Sequence, residues 1–146
     1  DTPAHRRIRQ RFLNRHPKAK LYIDFPDFRF FRLVPQSASL NGGFGRAYLL
    51  AASDLLHDAA ASESLAAEEA ATIAAIEALA PDMATELAVK ACGAKGGDWR
   101  ISGLDSAGLD LASADEGVRL EFETSLPTQQ DIIYYISKMV YSIREI

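Results

Sequence analysis

An α+β fold is predicted for this 146-residue sequence by three features. The run from Ala51 to Ala80 is rich in alanine and spaces Leu65, Ile73, Ile76 and Leu79 as a helix does. Between Trp99 and Phe122, three short apolar stretches are separated by turn residues. After Thr128, a helical stripe of Ile133, Ile136, Val140 and Ile143 closes the chain. The order helix, helix, three strands, helix makes a small α+β unit.

Each element has a local cause. Pro3 to Arg15 suits a helix with proline in its first turn, and Ile8 and Phe12 form an apolar seam among five arginines. Asn14 to Pro17 ends it. Leu21, Ile23 and Phe25 alternate with Tyr22 and Asp24, and Pro26-Asp27 precedes Phe28 to Val34, so a hairpin of two strands is expected. Pro35 marks a strand end, and Ser37 to Leu40 is a further short strand before a glycine turn. Pro81 interrupts the alanine-rich helix and opens a second one to Ala91, with Met83 and Leu87 on one side and Gly93 as its stop. Trp99–Leu104 and Leu109–Leu111 flank Asp105-Ser106-Ala107-Gly108 as a hairpin, Val118–Phe122 is the third strand, and Thr128 with Asp131 has the spacing of a capping box.

With 48% hydrophobic and 25% charged residues, the composition is that of a globular domain with a core. No apolar run is long enough for a bilayer and no signal-type segment opens the sequence, so the expected location is cytoplasmic, without membrane association. A single cysteine, Cys92, excludes an internal disulfide framework and is expected to be a small buried residue rather than a nucleophile. Asp1-Thr2-Pro3 has the form of a helix cap set inside a longer chain, and a fragment is expected.

The net charge of -4 conceals a division. Residues 1–50 carry 10 Lys and Arg against 3 Asp and Glu, and residues 51–146 carry 6 against 17. The basic cluster from Arg6 to Lys20 accompanies no nucleic-acid motif, and two readings stand: a solvated helix face, or a surface for an anionic ligand or partner. The carboxylates of the second half are expected on solvated helix faces and turns.

The sequence holds no G-x-S-x-G, H-E-x-x-H, paired C-x-x-C or Walker-type glycine loop. His5, His16 and His57 lack the spacing of metal ligands, and no metal site is expected. What stands out is residues 27–47, where an aromatic and arginine-rich stretch runs into Asn41-Gly42-Gly43-Phe44-Gly45-Arg46. A structural hairpin turn accounts for the glycines. A cofactor-binding reading adds Arg46 and Arg32, with Arg29, as planar permanent cations that match phosphate or carboxylate, and Phe28, Phe30, Phe31 and Phe44 as apolar surface for a flat ring. Gly42, Gly43, Phe44, Gly45, Arg46 and Arg32 are therefore the candidate cofactor-binding residues, and no catalytic residue is assigned.

The order R-F-L-N-R-H-P-K-A-K-L-Y (11–22), D-F-R-F-F-R-L (27–33) and G-G-F-G-R-A (42–47) resembles the last part of the split-barrel proteins related to pyridoxamine 5′-phosphate oxidase, in their HugZ-type haem-utilisation branch. W-R-I-S-G-L-D-S-A-G-L-D-L (99–111) with R-L-E-F (119–122) resembles the small domain that follows the barrel there. The resemblance implies that residues 1–52 are the C-terminal portion of an FMN-binding-type split β-barrel and residues 53–146 a small domain of unknown function. It further implies a homodimer with ligand sites at its interface, where Arg46 would line the flavin or haem side.

Relatives in that family are flavin-dependent oxidoreductases, haem-binding or haem-degrading proteins that take a tetrapyrrole, and cofactor-free partner-binding proteins. FMN-dependent oxidation in a complete barrel, haem binding and partner binding without catalysis are thus all implied. The sequence departs from the family in three places. The stretch from Asp1 to Ile146 does not include the early barrel strands, which in the family supply most flavin-phosphate contacts, so by the resemblance this segment alone is not expected to form a complete flavin site. The stretch A-L-A-P-D-M (78–83) stands where the small domain has an H-M-N-x-D-H-like motif, keeping Asp82 without the histidines. The tail Y-S-I-R-E-I (141–146) has no histidine to ligate haem.

Overall fold

Thr2 caps the first helix, its hydroxyl accepting from the His5 amide at 3.2 Å, and Pro3 occupies the first turn, where a missing N–H costs nothing. The computed structural model describes residues 2–56, 59–114 and 116–145, the side chains of 59–62 excepted. His57 lies outside the described residues. Helix α1 spans Pro3–Arg15 and is closed by the His16 amide donating to the Phe12 carbonyl at 2.8 Å. Pro17 then starts a 3₁₀ turn, Pro17–Leu21.

The hairpin expected from Leu21–Phe25 and Phe28–Val34 is not formed. Successive turns replace its first strand, with amide-to-carbonyl bonds from Ile23 to Ala19, Phe25 to Tyr22 and Phe28 to Phe25. Residues 28–36 hold no regular structure. The alternation of Phe28 and Phe30 is served by a helix rather than by a strand partner. Both rings pack on Phe12 of α1, with centroids 6.0 and 5.5 Å away, beside a small core of Leu13, Ala19 and Ile23.

Strands β1 (Ser37–Asn41) and β2 (Ala47–Ala51) form a two-stranded antiparallel ribbon of their own. Helix α2 follows at Ala59–Glu77, shorter than the compositional run, and Leu79 of the expected stripe is exposed. The next helix begins at Met83 rather than Pro81. Asp82 precedes it in the left-handed region at φ 58°, α3 covers Met83–Glu86, and a π-helical turn carries it through Leu87–Ala91 to Gly93 at φ 67°.

Strands β3 (Arg100–Asp105), β4 (Gly108–Ala112) and β5 (Gly117–Glu121) make an antiparallel sheet in sequence order, with a register shift between Ile101 and Gly103. The fold is thus α+β with two small antiparallel sheets, and among the described residues no barrel closes. Helix α4, Gln129–Arg144, is capped as expected by Thr128, whose hydroxyl accepts from the Asp131 amide at 3.2 Å. Its buried stripe is Ile132, Ile136 and Val140, one position away from the expected Ile133 at its start.

Strand alternation gives this second sheet two unlike faces. Ile101, Leu104, Leu109, Leu111 and Leu120 enter the main core with α2, α3 and α4. The register places Gly103, Asp105, Gly108, Asp110, Gly117 and Arg119 on the other face. Helix α1 lies against β3 there, and the contact is ionic. Arg11 reaches Asp110 at 3.0 Å and Glu69 at 3.2 Å, Arg7 reaches Glu69 at 3.2 Å, and Arg119 joins Asp110 at 2.8 Å to Asp105 at 2.7 Å. Glu69 of α2 also accepts the Leu104 amide at 3.0 Å, which satisfies a backbone donor on an edge strand.

The glycines make the close approach possible. A Cβ on Gly103 would sit 2.7 Å from the Arg11 guanidinium, and one on Gly117 would sit 2.6 Å from that of Arg15. Arg100 fastens the far end of α1, donating to the Asn14 carbonyl at 2.9 and 3.1 Å.

Candidate functional site

The ribbon places the candidate cofactor residues at its tip. Pairing runs from Ser37 opposite Ala51 to Asn41 opposite Ala47. The Gly42 amide then donates to the Arg46 carbonyl at 2.8 Å and the Arg46 amide to the Gly43 carbonyl at 3.1 Å, closing the loop. Gly43 at φ 104° and Gly45 at φ 76° take backbone angles that side chains disfavour, which explains these two glycines by the turn alone. Gly42 serves a close approach instead: a Cβ there would lie 3.0 Å from the Tyr48 ring.

Phe44 is fully exposed at the tip, and Arg46 is exposed beside it. Arg32 is exposed in the irregular 28–36 segment. Neither arginine's side chain makes an ion pair or hydrogen bond among the described residues, whereas Arg29 is used locally, donating to the Phe28 carbonyl at 2.7 Å and to the Pro26 carbonyl. The four phenylalanines divide in the same way. Phe28 and Phe30 are spent on the α1 cluster, while Phe31 and Phe44 face solvent.

These side chains are of the types that bind anions and flat rings. Two unpaired guanidiniums match phosphate or carboxylate oxygens, Phe31 and Phe44 offer ring faces, and the space around Gly43 and Gly45 is open. Other groups are committed elsewhere. His5 contacts Phe30 and His16 contacts Phe12, with ring centroids 5.7 and 4.9 Å apart. Among the described residues, no group of three His, Cys, Asp or Glu is placed to hold a metal ion. Cys92 is half-buried against the main core, and burial pushes its thiol up, which keeps it protonated.

Ionisable groups of the small α+β unit are arranged for structure. Burial raises the Asp105 carboxyl, but the Arg119 guanidinium and the Ala107 amide outweigh it and hold it below the ordinary aspartate value. The hydrogen bond from Arg144 lowers Glu86 likewise and ties α3 to α4. The sequence reading missed this network by treating the carboxylates as solvated. A signal was present: Arg7, Arg11 and Arg15 recur every four residues, which stacks them on one helix face.

No family model and no curated protein matches the chain. Among solved structures, a protein of unknown function from Agrobacterium tumefaciens is similar at 30% identity and a TM-score of 0.69, over 90% of this chain and 53% of that one. A haem-binding protein from Mycobacterium smegmatis aligns at 22% identity and a TM-score of 0.45, over 92% of this chain and 57% of that one, below the level of a shared fold. The chain spans about half the length of these structures. Among the described residues, no helix is long and apolar enough to cross a membrane.

Proposed function

We propose that the chain is the C-terminal part of an FMN-binding split-barrel protein of the kind related to pyridoxamine-phosphate oxidase. Residues 1–52 belong to the barrel, and the turn at 42–45 with Arg46 and Arg32 forms one wall of a cofactor pocket at a homodimer interface. One observation carries this reading: none of the ten residues of β1 and β2 is buried, and among the described residues the ribbon pairs only with itself. An isolated two-stranded ribbon is marginal in water, and further strands are the natural cover for its open edges and apolar side chains.

Bound there, the flavin would supply the redox chemistry. The chain's own part is to orient it, with Arg46 and Arg32 pairing its phosphate and Phe44 and Phe31 excluding water from its ring. The test is titration of the complete protein with FMN, read by quenching of flavin fluorescence. Saturable quenching is expected, weakened about tenfold or more by Arg46→Ala, the cost of a charge-assisted contact. Unquenched flavin fluorescence with a colourless protein rejects the reading.

Haem is the second reading, favoured by the resemblance of residues 11–22, 27–33 and 42–47 to the haem-utilisation branch, since two arginines suit two propionates equally well. A Soret shift on haem addition, diminished in Arg46→Ala, separates it from the flavin reading. Absence of both signals leaves binding of a partner protein, which a pull-down at low salt detects.

A further inference from the structure

A cleft of ≈ 690 Å³ opens where the end of α1 and the 3₁₀ turn meet the loop before β3 and the turn between β4 and β5. Its size falls within the range of about 300–1,000 Å³ typical of small-molecule sites. Trp99 forms part of its wall, nearly buried, with the indole N–H held by the Lys95 carbonyl at 2.9 Å.

The charges around it are unequal. On α1, Arg7 and Arg11 are both neutralised by Glu69, and Arg11 also by Asp110. Arg15, next on the same face, has no carboxylate partner among the described residues and borders this cleft. Lys18 and Lys95 join it there, also without an ion pair among the described residues, and Arg100 adds a fourth permanent charge while its N–H groups hold backbone carbonyls. The described acids of the lining are Asp98 and Glu116. Lys95-Gly96-Gly97 adds exposed backbone: the amides of Gly96 and Gly97 donate to no described residue, and a Cβ on Gly96 would meet nothing within 4 Å.

We propose that this cleft binds a small ligand through a phosphate group. Arg15, Lys18 and Lys95 line the cleft without an ion pair among the described residues, and a phosphate, with its three terminal oxygens, takes more of these donors than a single carboxylate does. Arg15 supplies a planar fork, Lys18 and Lys95 supply movable point charges, and the glycine loop lets the backbone come close. The site is distinct from the ribbon and stands or falls independently of the cofactor reading.

Trp99 is the chain's one tryptophan, so its fluorescence reports the cleft directly. The full chain is titrated with glycerol 3-phosphate, with glycerol and sodium chloride of matched ionic strength as controls. Saturable change with the phosphate ester alone is expected. Lys95→Gln and Arg15→Gln should each raise its midpoint about tenfold, as loss of one charge-assisted contact does. Both positions lie outside the core, and far-UV circular dichroism verifies that each variant is folded. Arg46→Ala should leave the titration unchanged, which keeps this test separate from that of the ribbon. The same response to sodium chloride, no saturable change, or midpoints unaltered in both folded variants overturns the proposal.

Discussion

The three-stranded sheet and the two-stranded ribbon use similar residues to opposite ends. Leu104, Leu109 and Leu111 are at most 1% exposed, sealed under α2, α3 and α4. In and around the ribbon, Leu33 is 94% exposed and Leu49 82%. Leucines occur in both regions, so what separates them is whether other elements of the chain arrive to cover the apolar face. A sheet with three strands and helices on one face is self-sufficient; two strands without a cover are not. The contrast teaches that an apolar side chain is buried by the cover it receives and not by its hydropathy alone.

The sharpest test of this contrast is truncation of one leucine in each region. Leu109→Ala removes a fully buried side chain and is expected to cost about 2–5 kcal/mol in urea unfolding. Leu49→Ala at the exposed position is expected to cost no more than about 0.5 kcal/mol in the isolated chain. A large loss at Leu49 would break the comparison. Hydrogen exchange sharpens it further, with β4 amides protected nearly to the global limit and ribbon amides exchanging through local opening.

Next in size is the ionic contact on the outer face. The Asp105 carboxyl is held below its ordinary value of 3.8, so its contribution is present above that pH and is lost as pH falls through the depressed value. Asp105→Asn should cost about 1.5–3 kcal/mol at neutral pH, the range for hydrogen bonds to charged groups, and flatten the acid limb of the stability curve. An unchanged acid limb would show that the network adds nothing to folding. Smallest is Thr128→Ala at the start of α4, expected to cost about 1 kcal/mol by thermal unfolding and to leave the ribbon's exchange rates unaltered.

Elements whose determinants are local were legible in the sequence. Thr2 with Pro3, Thr128 with Asp131, Gly93, and the β3–β4 turn each carry their instructions within a few residues, and the structure has them where the sequence placed them. Leu21–Val34 was misread because alternation states only that alternate residues are covered on one side. Phe12 of α1 provides that cover for Phe28 and Phe30, a long-range fact that periodicity does not contain. For the same reason Glu69 passed as a surface carboxylate: its partners Arg7 and Arg11 lie some sixty residues earlier. The 42–46 turn was legible as a turn from its glycines, and its exposed Phe44 and its Arg46, unpaired among the described residues, emerge only from the folded ribbon.

Gly103 and Gly117 leave room on the sheet for two guanidinium groups by the atoms they lack. A methyl group at either position would have to push a flexible guanidinium aside: at 103 that of Arg11, out of its pairing with Glu69 and Asp110, and at 117 that of Arg15.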